Sequence, residues 1–200
     1  MTKVHFKGST MLNPVPAVLI TSIDKNNNLN VFTVGWIGTA CTHPPMITAA
    51  IRPERLSYKY IKESGEFVVN LPSKNMTKIV DFCGVKSGRN IDKIKECNLT
   101  LEESTKIKTP CIEQCPVSIE CKVKNIIPLG THDLFLAEIL AVNVEESLID
   151  QNGKIHFEKS KPICYSHGEY FDLSEKPLGK FGYSVQKKRV RHKSSRKVKK

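Results

Sequence analysis

From Val15 to Leu71 the chain is a succession of short β-rich runs, each cut off by turn chemistry before it reaches helical length. VPAVLITSI (15–23) gives way to DKNNNLN, whose Asp and Asn side chains suit a hairpin turn. Residues 30–37 read as the partner strand. Met46–Ile51 is a third apolar run, bounded by Pro44-Pro45 and Pro53. Leu56–Ser64 has amphipathic helical spacing and stops at Gly65, and Glu66–Leu71 is a further strand ended by Pro72.

The same region carries the candidate site. A short helix opens after Arg52, with Ser57 in its first turn and Tyr58 beside it. Backbone amides at a helix N-terminus, a hydroxyl and a guanidinium together suit a phosphate group. Upstream, the small residues Gly35, Gly38, Thr39 and Ala40 flank Trp36, the only tryptophan, and leave room for a planar ring. A phosphorylated aromatic cofactor is expected, with FMN the first candidate.

Further along, Met76, Ile79, Val80 and Cys83 have helical spacing, which predicts a helix over 73–83 with Ser73 as N-cap. A turn-rich loop, GVKSGRNID, follows. In VSIECKVKNII (117–127), Val117, Ile119, Cys121 and Val123 face one way and Ser118, Glu120, Lys122 and Lys124 the other. That alternation predicts a half-buried strand, with 133–144 as its antiparallel partner and 163–165 as a last short strand. Many strands and few helices indicate a β-barrel with helical decorations.

The net charge of +11 belongs to one place. The last fifteen residues hold nine of the 31 basic residues and no acid, so residues 1–185 carry 22 basic against 20 acidic groups. Residues 1–185 are therefore expected to be the folded domain and 186–200 a basic, disordered tail. The first eleven residues are polar, and no apolar run approaches membrane-spanning length, so a cytoplasmic chain away from membranes is expected. Seven cysteines make no framework of the secreted kind. Cys111, Cys115 and Cys121 cluster without the paired spacing of a zinc site, and no metal is expected.

The order of these segments resembles the flavin reductase-like, FMN-binding split-barrel family, which includes flavoredoxins and NAD(P)H:flavin oxidoreductases. The resemblance rests on NVFTVGWIGTACTHPPMITAAI, RPERLSYKYIKESGEFVVNLP, KSGRNIDK, CPVSIECKV, GTHDLFLAEILAV and HGEYFDL in that order, spanning about 12–185. It implies a mainly β fold, a six-stranded antiparallel Greek-key split barrel, assembled as a homodimer with FMN near the interface. By position, Trp36, Gly38, Thr39, Ala40 and Cys41 would line the ring and Arg52, Ser57 and Tyr58 would hold the phosphate. Asn70 and Leu71 would close the ring pocket, while Ser87, Gly88 and Arg89 would approach from the next loop. His132 is the candidate catalytic residue, and His167 lies in a run that contacts nicotinamide or flavin in family members.

The expected activity is hydride transfer from NADH or NADPH to bound flavin, then on to an acceptor. An FMN electron carrier of the flavoredoxin kind, reduced by a protein partner, is the alternative. A protein that uses the basic tail on nucleic acid is the reading from another class, disfavoured by the near-neutral body and the absence of tail aromatics. The related split-barrel pyridoxamine-phosphate oxidases fit the motif order less well.

Overall fold

The computed structural model describes residues 1–174 and 176–186. The basic tail expected from 186 lies outside the described residues, apart from Gln186. In chain order the first half holds β1 (Val15–Pro16), β2 (Val18–Ile23), β3 (Leu29–Val34), β4 (Ile37–Cys41), β5 (Met46–Ile51), α1 (Leu56–Ser64) and β6 (Glu66–Leu71). Then come α2 (Thr77–Val85), α3 (Lys93–Glu96), β7 (Leu101–Glu102), β8 (Cys111–Ile112), β9 (Val117–Pro128), β10 (Asp133–Val144), β11 (Ile163–Ser166) and β12 (Glu169–Asp172).

Seven strands form one antiparallel sheet in the order β3-β2-β6-β9-β10-β5-β4. This differs from the six strands expected. The segment after Trp36 is a strand of its own: β4 pairs with β5 through Ile37–Ala49 and Gly38–Thr48, with an irregularity between Thr39 and Cys41. Small and polar residues disguise it, because as the edge strand it covers little of the core. A small sheet, β1-β11-β12, lies beside the main one. His167 and Gly168 join β11 to β12 with φ of 49° and 97°, the positive-φ pair that suits a tight hairpin.

The main sheet curls around a single interior cluster. Val18 and Ile20 of β2, Phe32 of β3, Ile51 of β5, Phe67 and Val69 of β6, Cys121 of β9 and Phe135 of β10 all meet there, plugged by Ile61 of α1. Each large apolar side chain so buried contributes roughly 1.5–3 kcal/mol. A second cluster lies on the outer face of β2 and β3, where Met76, Val80 and Cys83 cover Leu19 and Val31. Every residue of β2 is consequently buried.

α1 ends as its sequence predicts, with Gly65 at φ 71° donating its N–H to the Ile61 carbonyl. The helix expected over 73–83 is a 3-10 turn, Lys74–Met76, leading into α2, which runs two residues further, to Val85. Ser73 occupies the N-cap position, but its side chain makes no capping hydrogen bond. β9 departs from simple alternation: Ser118 and Glu120, expected on a solvent face, are buried. Glu120 accepts hydrogen bonds from the Thr105 and Lys106 amides, both at 2.7 Å, so the 103–110 loop is drawn over that face. Among the described residues no helix is long and apolar enough to cross a membrane.

Candidate functional site

The turn from β5 into α1 is the hinge of the site. Arg52 leaves the end of β5, the Arg55 amide donates to the Arg52 carbonyl at 3.0 Å, and α1 starts at Leu56. Both guanidiniums emerge from this one turn. A cleft opens in front of them, lined by Thr33 and Trp36 at the end of β3, Gly84 at the end of α2, and His132 in the β9–β10 turn. Tyr165 and Tyr170 of the β11–β12 hairpin form the remaining wall, their rings packed edge-on with centroids 5.6 Å apart. Trp36 is 38% exposed, a large aromatic presented to the opening.

An adjoining hollow continues from Arg52, Arg55 and Phe32 to Lys86, Ser87, Gly88 and Lys93, with Glu54 as its one carboxylate. Four cations against one carboxylate make it strongly basic. Its floor is built on close approach. A Cβ at Gly88 would fall inside the Asn30 carboxamide, so only glycine fits there without displacement. The reason is proximity, not the left-handed backbone that a turn glycine suggests, because Gly88 is not among the positive-φ residues. Arg89 turns away to donate to the Glu54 carbonyl at 2.7 Å, tying the 87–90 turn to the 53–55 turn.

Burial lowers the His132 pKa, and the neighbouring Arg52 pushes in the same direction while Glu54 opposes. The ring is therefore neutral near pH 7 and offers one donor and one acceptor. Its Nδ1 lies 2.9 Å from the Thr131 hydroxyl. Tyr170 is pushed up to about 12, first by burial and then by Asp81, whose carboxylate faces its hydroxyl.

Of the residues expected at the site, Trp36, Arg52 and His132 share the cleft, and Ser87 and Gly88 line the hollow. Gly38 borders a second recess behind Trp36, with open space where a Cβ would stand. Thr39 and Ala40 are exposed along β4, and the Cys41 thiol lies 3.5 Å from the His43 carbonyl. Ser57 departs from expectation. It is fully buried, and its Oγ accepts from Asn30 Nδ2 and Ser22 Oγ, both at 2.7 Å, so it does not reach the hollow.

Tyr58 is likewise engaged elsewhere, donating to Asp133 Oδ2 at 2.6 Å with its ring edge-on to Phe135. Asn70 lies on the opposite face of β6 from the core, where Nδ2 donates to the Leu19 carbonyl and Thr21, and Oδ1 accepts from the Ile112 amide and Ser118. Leu71 packs against the interior cluster. His167 sits at the exposed hairpin tip, its amide donating to Asn13 Oδ1 at 3.2 Å. Arg55, Tyr165 and Lys93 were not expected, whereas Tyr170 stands in the 167–170 run expected to contact nicotinamide or flavin. Arg55 was signalled by its proximity to Arg52, and Lys93 by closing the KSGRNIDK run.

A curled antiparallel sheet with a basic, aromatic-walled cleft beside its first helix defines a split-barrel cofactor-binding class of fold. Residues 10–174 match the family described as "Flavin reductase like domain", and the chain belongs to that family. An uncharacterized protein of Archaeoglobus fulgidus is 35% identical over 148 residues, covering 74% of this chain and 82% of that protein. Among solved structures, flavoredoxin of Desulfovibrio vulgaris (Miyazaki F) superposes with a TM-score of 0.86 at 27% identity, covering 92% of this chain and 100% of that one. Flavoredoxin from Methanosarcina acetivorans gives 0.82 at 26% identity, covering 93% and 100%.

Proposed function

We propose that the protein is an FMN-dependent oxidoreductase of the flavin reductase type, with the ring in the Trp36 cleft and the phosphate in the adjoining hollow. The observation that carries this is the continuity of the two spaces through Arg52 and Arg55, which border both. The donor set fits the group: two guanidiniums, the Ser87 hydroxyl and the cradle at Gly88 for a phosphate dianion, and an indole face with small neighbours for a tricycle. A bound flavin supplies the redox chemistry, accepting hydride from NADH or NADPH and releasing electrons to an acceptor.

The chain's own groups do the rest. Arg52 and Arg55 hold negative charge at the junction of ring and phosphate. Trp36 and the tyrosine pair exclude water from the faces of a planar ligand. Neutral His132 presents a hydrogen-bonding nitrogen beside Arg52, which suits it to orient a polar edge of flavin or nicotinamide. Cys41, Thr39 and Ala40 on the exposed β4 edge would complete the ring site from that side.

A homodimer is proposed with this reading, supported by the exposed apolar side chains Leu140 and Val142 towards one end of the β9–β10 hairpin and Ile127 and Leu129 at the other. Sedimentation equilibrium tests it. A cytoplasmic setting is proposed too, in keeping with seven free cysteines.

The deciding experiment is an absorption spectrum of the purified protein with FMN, followed by anaerobic NADH and NADPH. Bound yellow flavin that bleaches with either donor supports the assignment, and protein that fails to retain FMN refutes it. An FMN carrier reduced by a protein partner is the second reading, favoured by the two flavoredoxin structures. It predicts bound flavin that nicotinamides reduce only negligibly in stopped flow.

A further inference from the structure

Lys93 is only 3% exposed, yet it borders the basic hollow. It opens α3, whose N-cap Asp92 accepts from the Ile94 and Lys95 amides and so fixes the backbone there. The ammonium donates to the Cys83 carbonyl at 3.0 Å and the Lys86 carbonyl at 3.2 Å, at the C-terminal end of α2. Carbonyls at a helix C-terminus are a suitable partial partner for a cation. They use two of its three donors and supply no full negative charge.

Among the described residues no ion pair includes Lys93. The groups facing it are Cys83 from α2, Cys97 from the end of α3 and Arg55 from the turn before α1, while Arg52, Glu54 and Lys86 share the hollow. Burial pushes its pKa down to about 8 and Arg55 adds to the fall, while Cys83 and Cys97 would oppose it only as thiolates. Burial also raises both thiols, Cys83 to about 12, so neither is an anion at that pH. A buried ammonium without counter-charge is costly and tends to neutralise.

We propose that Lys93 is the proton-linked cation of the hollow: it contacts a phosphomonoester dianion as the ammonium, and the empty hollow takes up a proton from solvent when that dianion arrives. The proposal rests on the hollow holding the flavin phosphate. It goes further in naming the group whose protonation controls the binding. By linkage, a ligand that favours the charged form raises its pKa, so above about pH 8, where much of the amine is neutral in the free protein, binding converts it to the ammonium. A phosphomonoester is already a dianion at this pH, its second ionisation lying near pH 6. The proton taken up therefore stays on nitrogen.

The test is calorimetry of FMN binding at about pH 8.5 in buffers of different ionisation enthalpy, with riboflavin, which lacks the phosphate, as control. Wild type is expected to take up about 0.7 proton per FMN and none with riboflavin, given a free-state pKa near 8. Lys93→Met should show no uptake and bind FMN roughly 10- to 100-fold more weakly at pH 7. Lys93→Arg should bind FMN with no uptake, because a guanidinium stays charged throughout.

FMN binding to wild type without proton uptake, or equal uptake with riboflavin, overturns the proposal and leaves the flavin assignment standing. FMN that does not bind overturns both. The wild-type measurement needs no variant, so poor folding of Lys93→Met would not blunt the test.

Discussion

Arg55 Nη1 donates to the Gly84 carbonyl oxygen at 2.9 Å, so the start of α1 and the end of α2 are held together across the cleft. The carbonyl end of a helix carries partial negative charge, and a guanidinium there stabilises it. The same side chain borders both the ring cleft and the basic hollow. Arg55→Ala should therefore weaken FMN roughly 10- to 100-fold, the equivalent of about 1.5–3 kcal/mol for charge-assisted hydrogen bonds. Riboflavin affinity should change far less. Fluorescence titration with the two ligands measures the difference, and equal losses would mean the arginine acts only on the wall.

Ser57→Ala should cost stability and spare affinity. Its hydroxyl is buried between Ser22 and Asn30, so the change strands polar groups inside the protein. A loss of about 1–3 kcal/mol is expected in urea unfolding, with FMN binding by the folded protein within a fewfold of wild type. A selective loss of FMN affinity without destabilisation would return Ser57 to the phosphate site.

Asn70→Leu should be more damaging. The carboxamide bridges β2, β8 and β9, and leucine leaves the Ile112 amide and Ser118 hydroxyl without their acceptor. A loss of at least about 2 kcal/mol is expected from chemical denaturation, because the orphaned groups stay buried. Near-neutral behaviour would show that the 110–116 segment is dispensable.

Trp36 should report binding directly. As the only tryptophan, standing at the cleft mouth, its emission should fall as FMN is titrated in. Trp36→Phe should lose the signal while retaining binding that the quenching of flavin fluorescence still detects. Unquenched tryptophan alongside demonstrable flavin binding would place the ring elsewhere.

Acid should release the 103–110 loop. Burial alone would raise the Glu120 pKa, but hydrogen bonds from Asn143, Thr105 and Lys106 together outweigh it and leave the carboxyl below its usual value. A depressed pKa gives stability that is present above the unfolded value of about 4.3 and lost as pH falls through the lower folded value. Glu120→Gln should therefore be less stable at neutral pH and show a flatter acid limb. Parallel acid unfolding curves for the two proteins would remove Glu120 from the account.

The sequence made the strands and the first half of the site readable because the signals there are local. Arg52 stands where an apolar run meets proline, Trp36 sits between glycines, and the β9 alternation is plain. Ser57 and Asn70 misled because a polar residue among apolar ones looks functional until the covering chain is known. For Asn70 that cover is Ile112 and Ser118, more than 40 residues away. Tyr165 was invisible for the converse reason, while Tyr170 and Lys93 were marked only by standing in the HGEYFDL and KSGRNIDK runs. The two tyrosines reach the site only after the chain returns from distant positions, whereas Lys93 follows Ser87 and Gly88 closely and only its burial was hidden.

The contact between Gly88 and Asn30 has one more implication. Asn30 also holds Ser57 at the base of α1, so the backbone at 88, that carboxamide and the helix bearing Arg55 at its cap form a single stack. Even one added methyl at 88 would force the Asn30 carboxamide to move from its place against Ser57. The shape of the proposed phosphate hollow is thus set beneath its surface, by a hydrogen atom where every other residue would bring carbon.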